Sequence, residues 1–104
     1  MILSSTETIP GREVVEILGL VRGNTVRARH LGRDISAAFR HIVGGEIDEY
    51  TKVMAEAREQ ALDRMADQAT ALGADAVLVV RFSSAEVMKN AAEVIAYGTA
   101  VRLA

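Results

Sequence analysis

Two patterns of apolar residues alternate along this chain, and each predicts a different element. Val14-Val15-Glu16-Ile17-Leu18-Gly19-Leu20-Val21 is rich in β-branched residues and almost unbroken in hydrophobicity, which suits a strand covered on both faces. Gly19 within it marks a bulge or a close backbone approach, and Gly23-Asn24 reads as a turn. Thr25-Val26-Arg27-Ala28-Arg29 then alternates, as a half-exposed strand does. Upstream, Ile2 to Ser5 predicts a short strand and Pro10-Gly11 a turn.

The middle of the chain changes period. Asp34 is placed to cap a short helix through Ile35, Ala38, Phe39 and Ile42, which Gly44-Gly45 ends. Glu46, Asp48 and Glu49 open a second, long helix, where carboxylates oppose the positive end of its dipole. Ile47, Tyr50, Met54, Ala57, Ala61, Met65 and Leu72 fall on one helical stripe, which Leu62, Ala66 and Ala69 widen. From Ile47 to Leu72 such a helix is about 38 Å long. It is expected to project past its own sheet or to lie against a neighbouring subunit. Gly73 is a natural helix terminator. The strand Ala76 to Phe82 follows, then a polar loop from Ser83 to Asn90, then a last strand from Glu93 to Leu103 with Gly98 as a further bulge candidate. The predicted fold is α+β: a small, mostly antiparallel sheet packed against one long helix plus a short helix.

Composition narrows the picture. At 104 residues the chain is one domain, residues 1–104, near the lower end of sizes that are stable alone. Half of its residues are hydrophobic but only 4% are aromatic, so its apolar surface comes from small aliphatic side chains, and association between subunits would supply missing burial. A formal charge of -2 argues against a nucleic-acid partner or an anionic membrane surface. The absence of Cys excludes a disulfide framework and a thiolate metal site. The start Met1-Ile2-Leu3 turns polar at Ser4, and no run approaches the roughly 20 apolar residues of a membrane span. A soluble, cytoplasmic protein is expected.

Several segments, taken together and in order, resemble the YbjQ-like family of uncharacterised bacterial proteins labelled as heavy-metal-binding. They are Thr6-Glu7-Thr8-Ile9-Pro10-Gly11, Gly19-Leu20-Val21-Arg22-Gly23, Gly44-Gly45-Glu46, Ala57-Arg58-Glu59-Gln60-Ala61-Leu62-Asp63-Arg64-Met65, Gly73-Ala74-Asp75-Ala76-Val77 and Ala96-Tyr97-Gly98-Thr99-Ala100-Val101. The resemblance implies a dodecin-like subunit in a homopentameric ring, and a divalent metal as the cofactor to test. Val79 and Asn90 stand where the family pattern leads one to expect glycine. The label transfers no catalytic residues.

Open strand edges point the same way. Strands as apolar as Val14 to Val21 and Ala76 to Phe82 carry no proline that would block pairing, so an exposed edge in either is an aggregation hazard that a second copy removes. A homo-oligomer is expected.

Three constellations carry candidate chemistry. For a metal, His41 with Glu46 and Glu49 is the best local donor set, since His30 lies too far along the chain to join it on one helix. Met54 and Met65 sit on the apolar stripe, where methionine fills core gaps, so with Met88 they make a poor thioether site. For an anion, Arg22, Arg27 and Arg29 concentrate positive charge, with Arg33 and Arg40 further on. For a ligand or a subunit interface, Arg58, Glu59 and Arg64 of the long helix are candidates to meet Arg81, Tyr97 and Thr99 of the last two strands. Tyr97 and Thr99, two apart, share a strand face. Gly19 to Gly23 lacks the Lys-Ser/Thr ending of a phosphate loop. The leading functional reading is a ligand-binding or scaffold protein; the competing one is an enzyme assembled between subunits, with Glu59 as base and Arg58 or Arg64 stabilising charge.

Overall fold

A computed structural model describes residues 1–28, 48–89 and 91–104. Strand β1 (Ile2–Leu3), strand β2 (Val14–Ala28), helix α1 (Asp48–Ala71), strand β3 (Ala76–Met88) and strand β4 (Ala91–Leu103) follow in chain order. The fold is α+β, and the four strands form one mixed sheet in the order β1-β3-β4-β2. The β3–β4 and β4–β2 pairings are antiparallel, while β1 runs parallel to β3. The short helix expected between Asp34 and Ile42 lies outside the described residues.

Three expectations change. Gly23-Asn24 is no turn: β2 runs straight through it for 15 residues. Glycine is needed there for a different reason, because a Cβ at Gly23 would collide with the Ala61 carbonyl, the Met65 amide and, at 2.7 Å, the Cβ of Arg64. Of the loop expected from Ser83 to Asn90, Ser83 to Met88 is strand instead, since β3 continues to Met88 and pairs with β4 out to Ala91, while Asn90 lies outside the described residues. Polar residues there reflect a ribbon exposed on both sides; every residue from Arg81 to Lys89 is exposed. Longer strands overturn one arm of the third expectation, a helix that projects past its own sheet. At about 3.3 Å per residue, β2 to β4 are roughly 43–50 Å long against about 36 Å for the 24-residue helix. The sheet therefore outruns the helix, and the principal extents of 54 × 24 × 16 Å record an elongated fold.

Helix α1 ends as its sequence predicts. The Gly73 amide donates to the Thr70 carbonyl at 3.0 Å and the Ala74 amide to the Ala69 carbonyl at 3.1 Å, the paired bonds of a Schellman cap. Gly73 adopts the positive φ of 79° that this cap requires. Upstream, the Arg12 amide closes the Pro10-Gly11 turn onto the Ile9 carbonyl at 3.0 Å. Gly19, at φ 126°, sits at a register shift of β2, as its place in an apolar run predicts.

Two apolar clusters hold the sheet. On one face Ala57, Ala61, Met65 and Ala69 of α1 pack against Val21, Val77, Val94, Ala96 and Ala100. These four helix residues repeat every four positions, the inner part of the predicted stripe, and three of them are alanines that let the helix sit close to Gly23. Leu72, beyond the last helical turn, is exposed instead. On the other face Ala76, Leu78, Val101 and Leu103 form a smaller cluster with Ile9 and Val14 against them.

Candidate functional site

Alternation along β2 sorts its side chains onto two unlike surfaces. Val21 and Thr25 are buried under the helix, Gly23 with them, while Leu20, Arg22, Asn24 and Val26 between them are exposed on the far side. The continuous apolar run is thus not covered on both faces: Ile17 and Leu20 are 71% and 69% exposed.

That alternation re-sorts the candidate arginines. Arg27 faces the helix, where its Nη2 donates to Gln60 Oε1 at 2.8 Å. Its Nε and the Thr25 hydroxyl are buried there without a hydrogen-bond partner among the described residues. Arg22, an odd number of positions earlier, projects from the opposite face. Arg29 lies outside the described residues, so a patch of Arg22, Arg27 and Arg29 on one surface does not form from the two that are described.

The third constellation divides in the same way. Arg58, Glu59 and Arg64 are exposed on α1, and Arg64 Nη1 donates to the Asn24 carbonyl at 2.6 Å. Tyr97 is paired in register with Arg22 of β2 on one side and with Arg81 of β3 on the other. Side chains of directly paired residues share a face, so Arg22, Tyr97 and Arg81 form a row across the sheet on the side away from the helix. Thr99, two residues from Tyr97, is on that face also. One subunit therefore joins Arg81, Tyr97 and Thr99 but keeps Arg58, Glu59 and Arg64 behind the sheet. Sequence reasoning missed the partnership of Arg22 with this row; the signal was present in its even spacing from Leu20 and Val26.

A strained residue sets the row. The β3–β4 register shifts by one residue between Leu78 and Arg81, and within that bulge Val79 has a φ of 54°. A β-branched residue rarely adopts this left-handed conformation, and the position is the one where glycine was expected. Arg81 itself is fastened, with Nη1 donating to the Ser5 carbonyl at 3.0 Å and to the Val80 carbonyl at 2.9 Å.

The helix also reaches round the outer edge of β2. Gln68 Oε1 accepts from the Arg22 amide at 2.7 Å, one residue pair away from the Arg64 bond to Asn24. Two backbone groups that point away from the sheet are thereby occupied by side chains. On the helix side, an open groove of about 120 Å³ is lined by Met54, Arg58, Phe82, Ser83, Ser84 and Val94.

Comparison with known proteins places the chain. The family described as "Putative heavy-metal-binding", YbjQ, matches residues 1–104. The chain belongs to the YbjQ family. A UPF0145 protein of Archaeoglobus fulgidus is 59% identical over 99% of this chain and 95% of its own length, and one of Halorubrum lacusprofundi is 59% identical over 99% of each. These archaeal relatives show that the YbjQ family is not confined to bacteria. A crystal structure of a protein of unknown function of the DUF74 family from Pediococcus pentosaceus shares the fold, with a TM-score of 0.72 over 100% of this chain and 98% of that one at 16% identity. For the metal that the YbjQ description implies, the described residues supply no group of three or more His, Cys, Asp or Glu able to hold an ion. His41 and Glu46 lie outside the described residues, as does the side chain of Glu49, so no described geometry fits a metal. No described helix is long and apolar enough to cross a membrane.

Proposed function

We propose that this YbjQ-family chain is a cytoplasmic, self-associating binding protein whose copies join edge to edge in a closed ring. The observation that supports this reading is a pair of unlike sheet edges, each without a strand partner among the described residues. β2 is an outer strand in the strand order, and its Val14 to Leu20 segment carries exposed Val15, Ile17 and Leu20. On the opposite side β3 is paired by β1 only at Ala76 and Val77. Beyond Arg81 its outer edge has no strand partner among the described residues, and exposed Val87 and Met88 lie there. An unpaired apolar edge is a hazard unless another strand covers it. When the two edges differ, their pairing is head-to-tail, and such contacts close into a ring where the rotation between neighbouring copies closes. Five copies is the number the family resemblance implies.

Proline replacement tests this directly. The Arg22 amide points away from β4, and alternation then places the Ser84 amide of β3 outward as well. Ser84→Pro removes that edge donor while sparing the β3–β4 ladder. By light scattering at micromolar concentration the parent is expected as an oligomer and Ser84→Pro as a folded monomer. A monomeric parent, or an unchanged oligomer in the variant, rejects the edge-to-edge ring.

A further inference from the structure

We infer that the row Arg22–Tyr97–Arg81, with the Thr99 hydroxyl beside it, is a binding site for a small, multiply charged oxyanion. The inference uses the sheet of a single subunit and goes beyond the ring. Paired strands lie roughly 5 Å apart, which places two guanidinium-bearing residues on either side of one phenol within about 10 Å of backbone. The phenol and the hydroxyl donate hydrogen bonds, and each guanidinium presents a fork of donors that matches carboxylate or phosphate oxygens. Arg81 is held before any ligand arrives. Its described bonds run from Nη1 to the Val80 carbonyl and to that of Ser5, on the β1 side of β3; Nη2 and Nε have no partner among the described residues, and a preordered group loses less entropy on binding.

In the described salt bridges neither Arg22 nor Arg81 takes part; the pair there is Arg102 with Glu16, at 3.3 Å. The carboxylate on the same face of β4 is Glu93, four residues and about 13 Å from Tyr97, and it accepts from Asn24 Nδ2 at 3.3 Å.

The bulge at Val79 gives independent support. Upstream of it, Ala76, Val77 and Leu78 pair with Val101, Ala100 and Thr99. Continued without a bulge, that register would set Val80 opposite Tyr97 and turn Arg81 to the helix side. The extra residue reverses the alternation and brings Arg81 into the row, at the expense of a valine in a left-handed conformation. Bulges re-aim side chains, and backbone strain of this kind gathers where a site needs it.

Isothermal titration of the full chain with inorganic pyrophosphate and, separately, with citrate tests the inference. Saturable binding of at least one is expected, and the tighter of the two tells whether phosphoryl or carboxylate oxygens are preferred. Arg22→Gln is expected to weaken binding ten-fold or more, and Tyr97→Phe about three-fold. Lys52→Gln, which removes the same charge from the exposed helix surface, is expected to stay within two-fold of the parent. Mass and melting temperature of Arg22→Gln are expected to match the parent, so loss of binding is separable from loss of the ring. Absence of saturable binding by the parent to either anion, or equal weakening by Arg22→Gln and Lys52→Gln, overturns the inference.

Discussion

The two faces of strand β2 are built from neighbouring residues yet obey different rules. Under the helix, Val21, Gly23 and Thr25 are so closely covered that Thr25 is 3% exposed; one position along, Leu20, Arg22, Asn24 and Val26 all meet solvent. The helix face is constrained by volume, since interiors are close-packed and resent an added or missing methylene. The far face is constrained by what the chain meets there. Substitutions on the two faces should therefore fail in different ways.

The largest effect is expected from Gly23→Ala, which places a methyl group inside the backbone of α1. Helix and strand must separate, and a loss of about 3 kcal/mol or more in denaturant unfolding is the expected result. Met65→Ala, a cavity in the same layer, is expected to cost about 2–4 kcal/mol. The bulge offers a sharper contrast within β3. Val77→Gly, at a fully buried position, is expected to cost about 3 kcal/mol through lost burial and added backbone freedom. Val79→Gly, two residues on, relieves a left-handed valine and is expected to change stability by less than about 1 kcal/mol, because that relief offsets the lost packing. Smallest of all, Leu20→Asn on the far face is expected to alter the unfolding free energy of a single subunit by no more than about 0.5 kcal/mol. Equal losses from Leu20→Asn and Met65→Ala in thermal melts would erase the distinction between the faces.

Much of the layout was legible in the chain because it rests on local rules. The helix stripe through Ala57, Ala61 and Met65, the stop at Gly73, the turn at Pro10-Gly11 and the irregularity at Gly19 each follow from period or from backbone chemistry. What escaped was non-local. Gly23-Asn24 has the composition of a turn, and only the helix lying across it reveals a steric role. Ser83-Ser84 reads as loop because strand length there is set by pairing with β4, not by propensity. The candidate site was legible by residue type but not by grouping: Tyr97 and Thr99 share a face by simple alternation, whereas the place of Arg81 depends on a one-residue bulge that a valine disguises. Arg22 and Arg27 look like one patch in the sequence and end on opposite sides of the sheet.

The side chains of Gln68 and Arg64, seated on the outward amide of Arg22 and carbonyl of Asn24, also act as a ruler. In the proposed ring they would stop an incoming ribbon at Leu20, leaving a berth of seven residues from Val14, about 23 Å. The unaccompanied stretch of β3 from Ser83 to Met88 spans six residues, about 20 Å. A tab and a slot of nearly equal length, on opposite rims of one subunit, would fix the stagger between neighbours without any dedicated lock.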